Sequence, residues 1–364
     1  MTWFHHSIGC RSGLGAYTLW IAPFHDRRSA GPSARSLASL FVLLLASVTF
    51  GASPGGMEKT YARCLEATVG LVIGDNLVGW GWFASSDGLV VTSAQFFHHG
   101  DDRRIRLIAD DDSEIGATLV VIDRGHDLAV LRVENHRKTV RYLPLARPRP
   151  TAGEKIFLFS APYPPRKMLL VGYVTAPCTA FEYYYTPIGY VEATRIASFM
   201  QPNWSGGPWL NAAGEVVGVQ SAVIAENGIT VGLAFMIPGE FVRTLLGTLR
   251  NASTPTLGAK LEKLSQQGRA VFGKLPSGTR GLFVADVQEN KPAAEAGIKT
   301  GDVITSIDGK EVMQVQDLLE QVRAHKLGDK VMLEVLTPGE ANSVQREVIL
   351  GCEEAGFART PAKL

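Results

Sequence analysis

Charge of one sign is in short supply in this sequence. Its 36 lysines and arginines face 35 aspartates and glutamates, leaving a formal net charge of +1 over 364 residues. Neutralising a phosphate backbone takes a basic excess or stripe, so the balance argues against a nucleic-acid partner. Cysteine is scarce as well. Cys10, Cys64, Cys178 and Cys352 lie far apart and form no C-x-x-C pair, which excludes both a zinc site of that kind and a disulfide-dense scaffold. No apolar run reaches the ~20 residues of a typical membrane-spanning helix. Metal-ligand clusters, phosphate-cradling loops and cofactor motifs are missing too, so the sequence implies neither metal nor cofactor. What remains is globular in character, with 46% apolar and 20% charged residues. Glycine, at 38 residues, exceeds the usual ~7% and points to turn-rich β structure. The length allows two or three domains at ~100–200 residues each.

Leu37 to Phe50 is an uncharged run of 14 residues, preceded by Arg27, Arg28 and Arg35 and followed by the small residues Gly51, Ala52 and Ser53. A basic flank, a short apolar core and a small-residue exit form the pattern of a secretory signal. Residues 1–52 are therefore read as a targeting segment and the chain as exported, periplasmic or otherwise extracytoplasmic. The same run also fits a short membrane anchor or a buried helix. Cleavage near residues 51–53 would remove Cys10 and leave three cysteines, at least one of them unpaired within the chain.

From about residue 60 to 245, short Val-, Ile- and Leu-rich runs are broken by glycine and polar turns. Ala67–Ile73, Gly88–Thr92, Thr118–Ile122, Leu128–Val133, Lys155–Phe159, Met168–Val174 and Glu215–Val219 are examples. Such spacing predicts many antiparallel strands. Helical periodicity is expected only near Pro238–Leu249. Residues 251–267 have the polarity and turn-formers of a linker. A second unit, residues 268–352, is expected to hold strands Leu282–Val287, Val303–Ile307, Lys330–Leu336 and Gln345–Leu350. Two helices fit between them: Pro292–Ala296, with proline in its first turn and Gly297 as its stop, and Val315–His325. Residues 353–364 form a C-terminal tail.

Three segments carry chemistry: G-W-G-W-F-A-S-S-D-G-L-V-V-T-S-A-Q from Gly79, D-L-A-V-L from Asp127, and N-W-S-G-G-P from Asn203, followed by N-A-A-G-E-V-V-G-V. In this order and spacing they resemble the HtrA/Deg family of serine proteases. The resemblance implies a mainly β fold: a trypsin-like double six-stranded β-barrel over residues 58–250. It places Ser205 at the nucleophile position, Asp127 at the orienting acid, and Gln95 where the family has its histidine base. A serine hydroxyl is a poor nucleophile until a base takes its proton, and the aspartate holds that base in the right tautomer. A glutamine amide can accept a hydrogen bond from Ser205 but takes up no proton near neutral pH. Loss of the base costs a subtilisin triad about a million-fold in turnover. Proteolysis is therefore expected to be absent or vestigial.

His98 and His99 would lie about one turn, ~5 Å, beyond Gln95, where proton transfer needs ~3 Å. His126, on a strand, would point away from the site. The oxyanion hole of such a fold would use the backbone N–H groups of Ser205 and Asn203. Trp204 puts a large ring beside the nucleophile, and Phe199 is expected at the base of the specificity pocket, where it would fill it. The bland alternative makes both aromatics ordinary core or rim residues.

The run G-L-F-V-A-D-V-Q-E-N-K-P-A-A-E-A-G-I-K-T-G-D-V-I-T-S-I-D-G-K-E-V from Gly281 closely resembles a PDZ domain of the HtrA arrangement, an α+β module. The resemblance implies that an extended peptide adds as a strand beside a helix, with backbone N–H groups capturing its terminal carboxylate. R-A-V-F-G, Arg269 to Gly273, is taken as the carboxylate loop. Val271, Phe272 and Gly273 would supply N–H groups and apolar lining, and Arg269 a compensating charge or merely a solvated one. Leu318, Leu319 and Val322 would form the opposite wall, part of that stripe being core. The implied partners are peptides or protein C-termini and unfolded protein. A homo-oligomer, or an active HtrA-family partner for which this chain is a scaffold, is also implied. An active envelope endopeptidase with a rearranged base is the competing reading.

Overall fold

The structure is a computed structural model that describes residues 54–97, 104–134, 139–163, 166–176, 179–184, 189–200, 204–226, 229–251 and 254–352. The targeting segment, Cys10, Cys178, His98, His99, Asn203 and the C-terminal tail lie outside the described residues.

Among the described residues a helix comes first, α1 (Pro54–Ala67), reaching into the stretch from about residue 60 to 245 where a helix is expected only near Pro238–Leu249. Met57, Tyr61, Cys64 and Leu65 recur at helical spacing and dock on the core shared by the two barrels. Six strands follow: β1 (Thr68–Ile73), β2 (Asn76–Phe83), β3 (Leu89–Thr92), β4 (Ile105–Ile108), β5 (Glu114–Asp123) and β6 (Leu128–Val133). They close into an antiparallel barrel in the order β1-β2-β3-β6-β5-β4. Val69, Leu71, Phe83, Val90, Leu107 and Leu131 fill its interior.

The next seven strands are β7 (Lys155–Tyr163), β8 (Arg166–Val174), β9 (Ala180–Tyr184), β10 (Gly189–Ala197), β11 (Pro208–Leu210), β12 (Val216–Glu226) and β13 (Ile229–Pro238). Their sheet runs β13-β12-β11-β7-β8-β10-β9 and closes through β10–β13 pairing, which makes a ring of six with β9 outside it. β10 is shared along its length. Its first half, residues 189–193, pairs with β9, and its second half, residues 194–197, stays in the barrel against β13 and β8. The expected helix is α2 (Gly239–Thr248), with Val242 and Leu245 buried against the shared core.

The last unit starts earlier than the sequence suggested. Within 251–267, expected as a linker, lie β14 (Pro255–Thr256) and β15 (Ala259–Lys263). In A-K-L-E-K, alternate residues Ala259 and Leu261 are buried and the lysines and glutamate are not. Polarity by itself read as a connector, but it was the outer face of an amphipathic strand. Then come α3 (Arg269–Phe272), β16 (Leu282–Val287), α4 (Pro292–Glu295), β17 (Val303–Ile307), β18 (Lys310–Glu311), α5 (Val315–Ala324), β19 (Lys330–Leu336), β20 (Val344–Ile349) and β21 (Gly351–Cys352). The sheet runs β15-β16-β17-β19-β20, which leaves β15 as one edge. Among the described residues no helix is long and apolar enough to cross a membrane.

Candidate active site and peptide groove

Three chain segments meet where the barrels face each other. A 3₁₀ turn over Ala94–Phe96 presents Gln95, capped by Ser93. A second 3₁₀ turn, Arg124–His126, ends on Asp127 in the left-handed region, φ 49°. Aspartate tolerates that conformation better than most side chains, and it turns the carboxylate under the Gln95 turn. Ser205 sits on the loop before β11. Its carbonyl accepts from the Trp80 N–H at 2.9 Å, and Gly206 N–H donates to the Gln220 carbonyl at 2.7 Å. The loop lies so close to β2 that two glycines, one on each side, have no room for a Cβ in the present packing. A Cβ on Gly206, at φ +87°, would fall 1.9 Å from the Trp80 carbonyl oxygen. One on Gly79 would fall 2.9 Å from the Ser205 carbonyl oxygen.

Asp127 is fully buried. Its Oδ1 accepts from the Ser93 hydroxyl at 2.7 Å and from the Gln95 backbone N–H at 2.9 Å. Its Oδ2 accepts from the Ser221 hydroxyl and from Gln95 Nε2, the latter at 3.4 Å. Burial pushes the acid up to about 6, while the Ser221 and Ser93 hydroxyls and the Gln95 amide pull it back. Gln95 thus bonds to Asp127 through both its backbone and its side-chain amide. Its Nε2 donates to Ser93 Oγ at 2.8 Å and to the Ser221 carbonyl at 3.2 Å. The Ser205 hydroxyl donates to that same Ser221 carbonyl. Gln95 and Ser205 therefore converge on one backbone oxygen, which accepts hydrogen bonds but takes up no proton at ordinary pH.

His126 does not lie on a strand, as expected, but in the turn before Asp127. Its Nδ1 is 2.8 Å from Asp123 Oδ2, and its ring stacks on Phe241 at 4.0 Å between centroids. The imidazole is thereby engaged away from Ser205. The pocket-filling role expected of Phe199 is not what the structure has. Residues 196–200 continue the period-2 alternation of β10, so Ile196, Ser198 and Met200 point in and Phe199 is 85% exposed. Met200 and Trp204 pack instead with Ile196, Trp209 and Met236 inside the second barrel.

In the last unit the expected groove residues separate. Arg269–Phe272 forms a single helical turn, with Val271 N–H donating to the Gly268 carbonyl and Gly273 N–H to the Arg269 carbonyl. Those amides are consumed locally, and Val271 packs beside Leu264, Val303 and Leu336. Phe272 is exposed. Leu318, Leu319 and Val322 belong to a different cluster, with Leu257, Ala259 and Leu261. α5 therefore packs beside β15, and Val271 lies in a separate cluster. Sequence reading missed Ser93 and Ser221, which no local spacing links to Asp127. It also missed the signal of five aromatics, Phe181, Tyr183, Tyr184, Tyr185 and Tyr190, within ten residues.

A family model described as trypsin-like peptidase domain matches residues 79–219, and one described as PDZ domain matches residues 255–348. A probable periplasmic serine endoprotease DegP-like of Pseudomonas fulva is 30% identical over 273 residues, covering 74% of this chain and 55% of its own length. A protein of the same description from Rhizobium meliloti is 28% identical over 274 residues, covering 74% of this chain and 53% of its own. The chain thus spans about half the length of the curated relatives it matches. Among solved structures, the HtrA-type protease AlgW with decapeptide superposes with a TM-score of 0.59 at 22% identity, covering 85% of this chain and all (100%) of that one. The serine endoprotease from Yersinia pestis gives 0.54 at 20%, covering 83% and 99%.

Proposed function

From a chain that belongs to the HtrA/Deg-like family, a trypsin-like peptidase domain followed by a PDZ domain, we propose a member that binds peptides and does not cut them. One observation carries this reading: the Ser205 hydroxyl is hydrogen-bonded to the Ser221 carbonyl, and the neighbouring base position holds Gln95, whose Nε2 is spent on Ser93, Asp127 and that same carbonyl. The group that the Ser205 hydroxyl touches, a backbone carbonyl, does not take the serine proton as it attacks a peptide carbonyl. The competing reading needs a substitute base, and His126 is turned to Asp123 and Phe241.

Binding falls to the PDZ domain, whose groove between the β15 edge and α5 suits an extended peptide added as a strand, with its terminal carboxylate held by backbone N–H groups. Peptides, protein C-termini and unfolded chains present such strands. The periplasmic descriptions of the relatives and the signal-like N-terminus favour an exported protein. The test has two arms on the full chain. Casein cleavage should be indistinguishable from that of Ser205→Ala, and a library of fluorescent decapeptides with free C-termini should contain binders. Cleavage abolished by Ser205→Ala would make the chain a protease, and a library without binders would remove the peptide role.

A further inference from the structure

The last unit has a second concavity, on the face of its sheet turned away from α5. Side chains alternate along β19. Leu333 and Val335 join Leu318 and Val322 in the core under α5, while Leu336 belongs to the cluster of Leu264 and Val303 on the other face. On that face a cleft of about 560 Å³ opens between β17, β19, the residues after β18, the turn before β20 and the loop 276–280. Its volume lies within the ~300–1,000 Å³ of ligand-binding clefts. Its apolar lining includes buried Val312 and Leu336 and the exposed side chain of Met313.

The polar lining is one-sided in its hydrogen bonding. The Thr305 hydroxyl donates to the Glu334 carbonyl at 3.2 Å, and the Ser306 hydroxyl to Glu334 Oε2 at 3.1 Å. The Ser343 hydroxyl donates to Glu334 Oε1, and the Thr279 hydroxyl to the Pro276 carbonyl at 2.7 Å. A hydroxyl has one proton and two lone pairs. All four hydroxyls therefore commit their proton within the protein and offer a ligand only lone pairs. Glu311 and Glu334 add carboxylate acceptors, and Arg280 is the one side-chain cation of the lining. Among the described residues neither carboxylate has an ion-pair partner. Glu334 is partly buried, and hydroxyls from β17 and from the turn before β20 hold both of its oxygens in place. Such a carboxylate is ready for a cation without further ordering.

This chemistry selects the ligand. An anion or a carbonyl-rich molecule finds side-chain donors only on Arg280. A guanidinium or ammonium on an apolar stem finds acceptors at its head and a surface for its methylenes along Met313 and Leu336. The cleft is larger than one such side chain, which leaves room for the main chain that carries it. We propose that the cleft binds a lysine- or arginine-bearing stretch of polypeptide, with one basic side chain reaching Glu334. The site is separate from the groove between β15 and α5 and needs no free C-terminus, so it does not rest on the peptide reading of that groove.

The experiment uses the full chain and a fluorescent decapeptide of glycine, serine and leucine with two central arginines. Its C-terminus is amidated, so that capture of a terminal carboxylate contributes nothing. A neutral counterpart carries citrulline in place of arginine. Glu334→Gln removes the charge at nearly constant shape, and Ala341→Trp, at an exposed lining position, fills the cleft with Glu334 intact. Fluorescence anisotropy should show the arginine peptide binding the parent at least ~10-fold more tightly than the citrulline peptide, the scale of one charge-assisted hydrogen bond. Its affinity should fall at least ~10-fold in each variant, while library peptides with free C-termini bind both variants as they bind the parent. A library with no binder in any chain removes the groove reading and leaves the arginine peptide to decide this one. Equal affinity of the two amidated peptides for the parent, or unchanged arginine-peptide affinity in either variant, overturns the proposal. So does agmatine that displaces the arginine peptide at equal concentration, which would make the ligand a free alkyl-guanidinium.

Discussion

Asp127 is the residue on which the site's electrostatics turn. In a working triad such a carboxylate is compensated by an imidazolium. Here it is compensated by two hydroxyls and an amide, and burial still lifts it to about 6. The sign of the pH effect follows. Between the ordinary value of 3.8 and about 6 the folded chain holds a proton that the unfolded chain has released, so Asp127 costs stability as pH rises through that window. Asp127→Asn should therefore stabilise the fold by on the order of 1–3 kcal/mol at pH 7.5 and have almost no effect near pH 3.5, as read by urea unfolding at the two pH values. A pH-independent difference would mean that burial does not govern this acid. Cys64 offers a second test at this scale. It is a free thiol buried in the shared core, and burial pushes it up to about 12. In the native chain it should resist alkylation at pH 8 by at least ~100-fold relative to the unfolded chain, measured by mass-resolved labelling.

At the scale of elements, the strands were legible and the connections between domains were not. β6, β16, β17 and β19 fall where their apolar runs begin and end, because a short β-branched run bounded by turns has few other stable uses. α1 was missed because it starts beside two glycines, so only its buried stripe declares it. β15 was read as linker because three of its five residues are polar and partly exposed. The carboxylate loop was set at Arg269–Gly273 by its place before β16, yet R-A-V-F closes into a helical turn that uses its own amides. This correction has a direct consequence. Leu318→Ala, fully buried under the groove, should cost about 2–5 kcal/mol in chemical denaturation. Phe272→Ala, on an exposed ring, should cost less than ~1 kcal/mol and leave decapeptide affinity unchanged. Lost binding in Phe272→Ala would return the carboxylate loop to α3.

Across the whole molecule, the near-neutral charge fits recognition by backbone and shape. Contacts that join the peptidase domain to the PDZ domain include several of this kind: a tyrosine hydroxyl on a strand edge, aromatic rings packed on the PDZ core, and one arginine on a carbonyl. Residues 95, 127 and 205 were singled out from three separate motifs, and the fold brings them near one another: Gln95 bonds to Asp127, and Gln95 and Ser205 share the Ser221 carbonyl. The hydroxyls that saturate Asp127 were not legible, since residues 93, 127 and 221 meet only in the folded barrels. β10 also packs against the turn that ends on Asp127, so the β9–β10 hairpin and the Asp127 turn are joined through one strand. The account stands most directly on the reactivity of Ser205. Labelling the full chain with a fluorophosphonate at pH 8 should leave Ser205 unmodified in the parent, while Gln95→His, which puts an imidazole between Asp127 and Ser205, should raise the rate by at least ~100-fold. Rapid labelling of Ser205 in the parent, with no gain in Gln95→His, would contradict it.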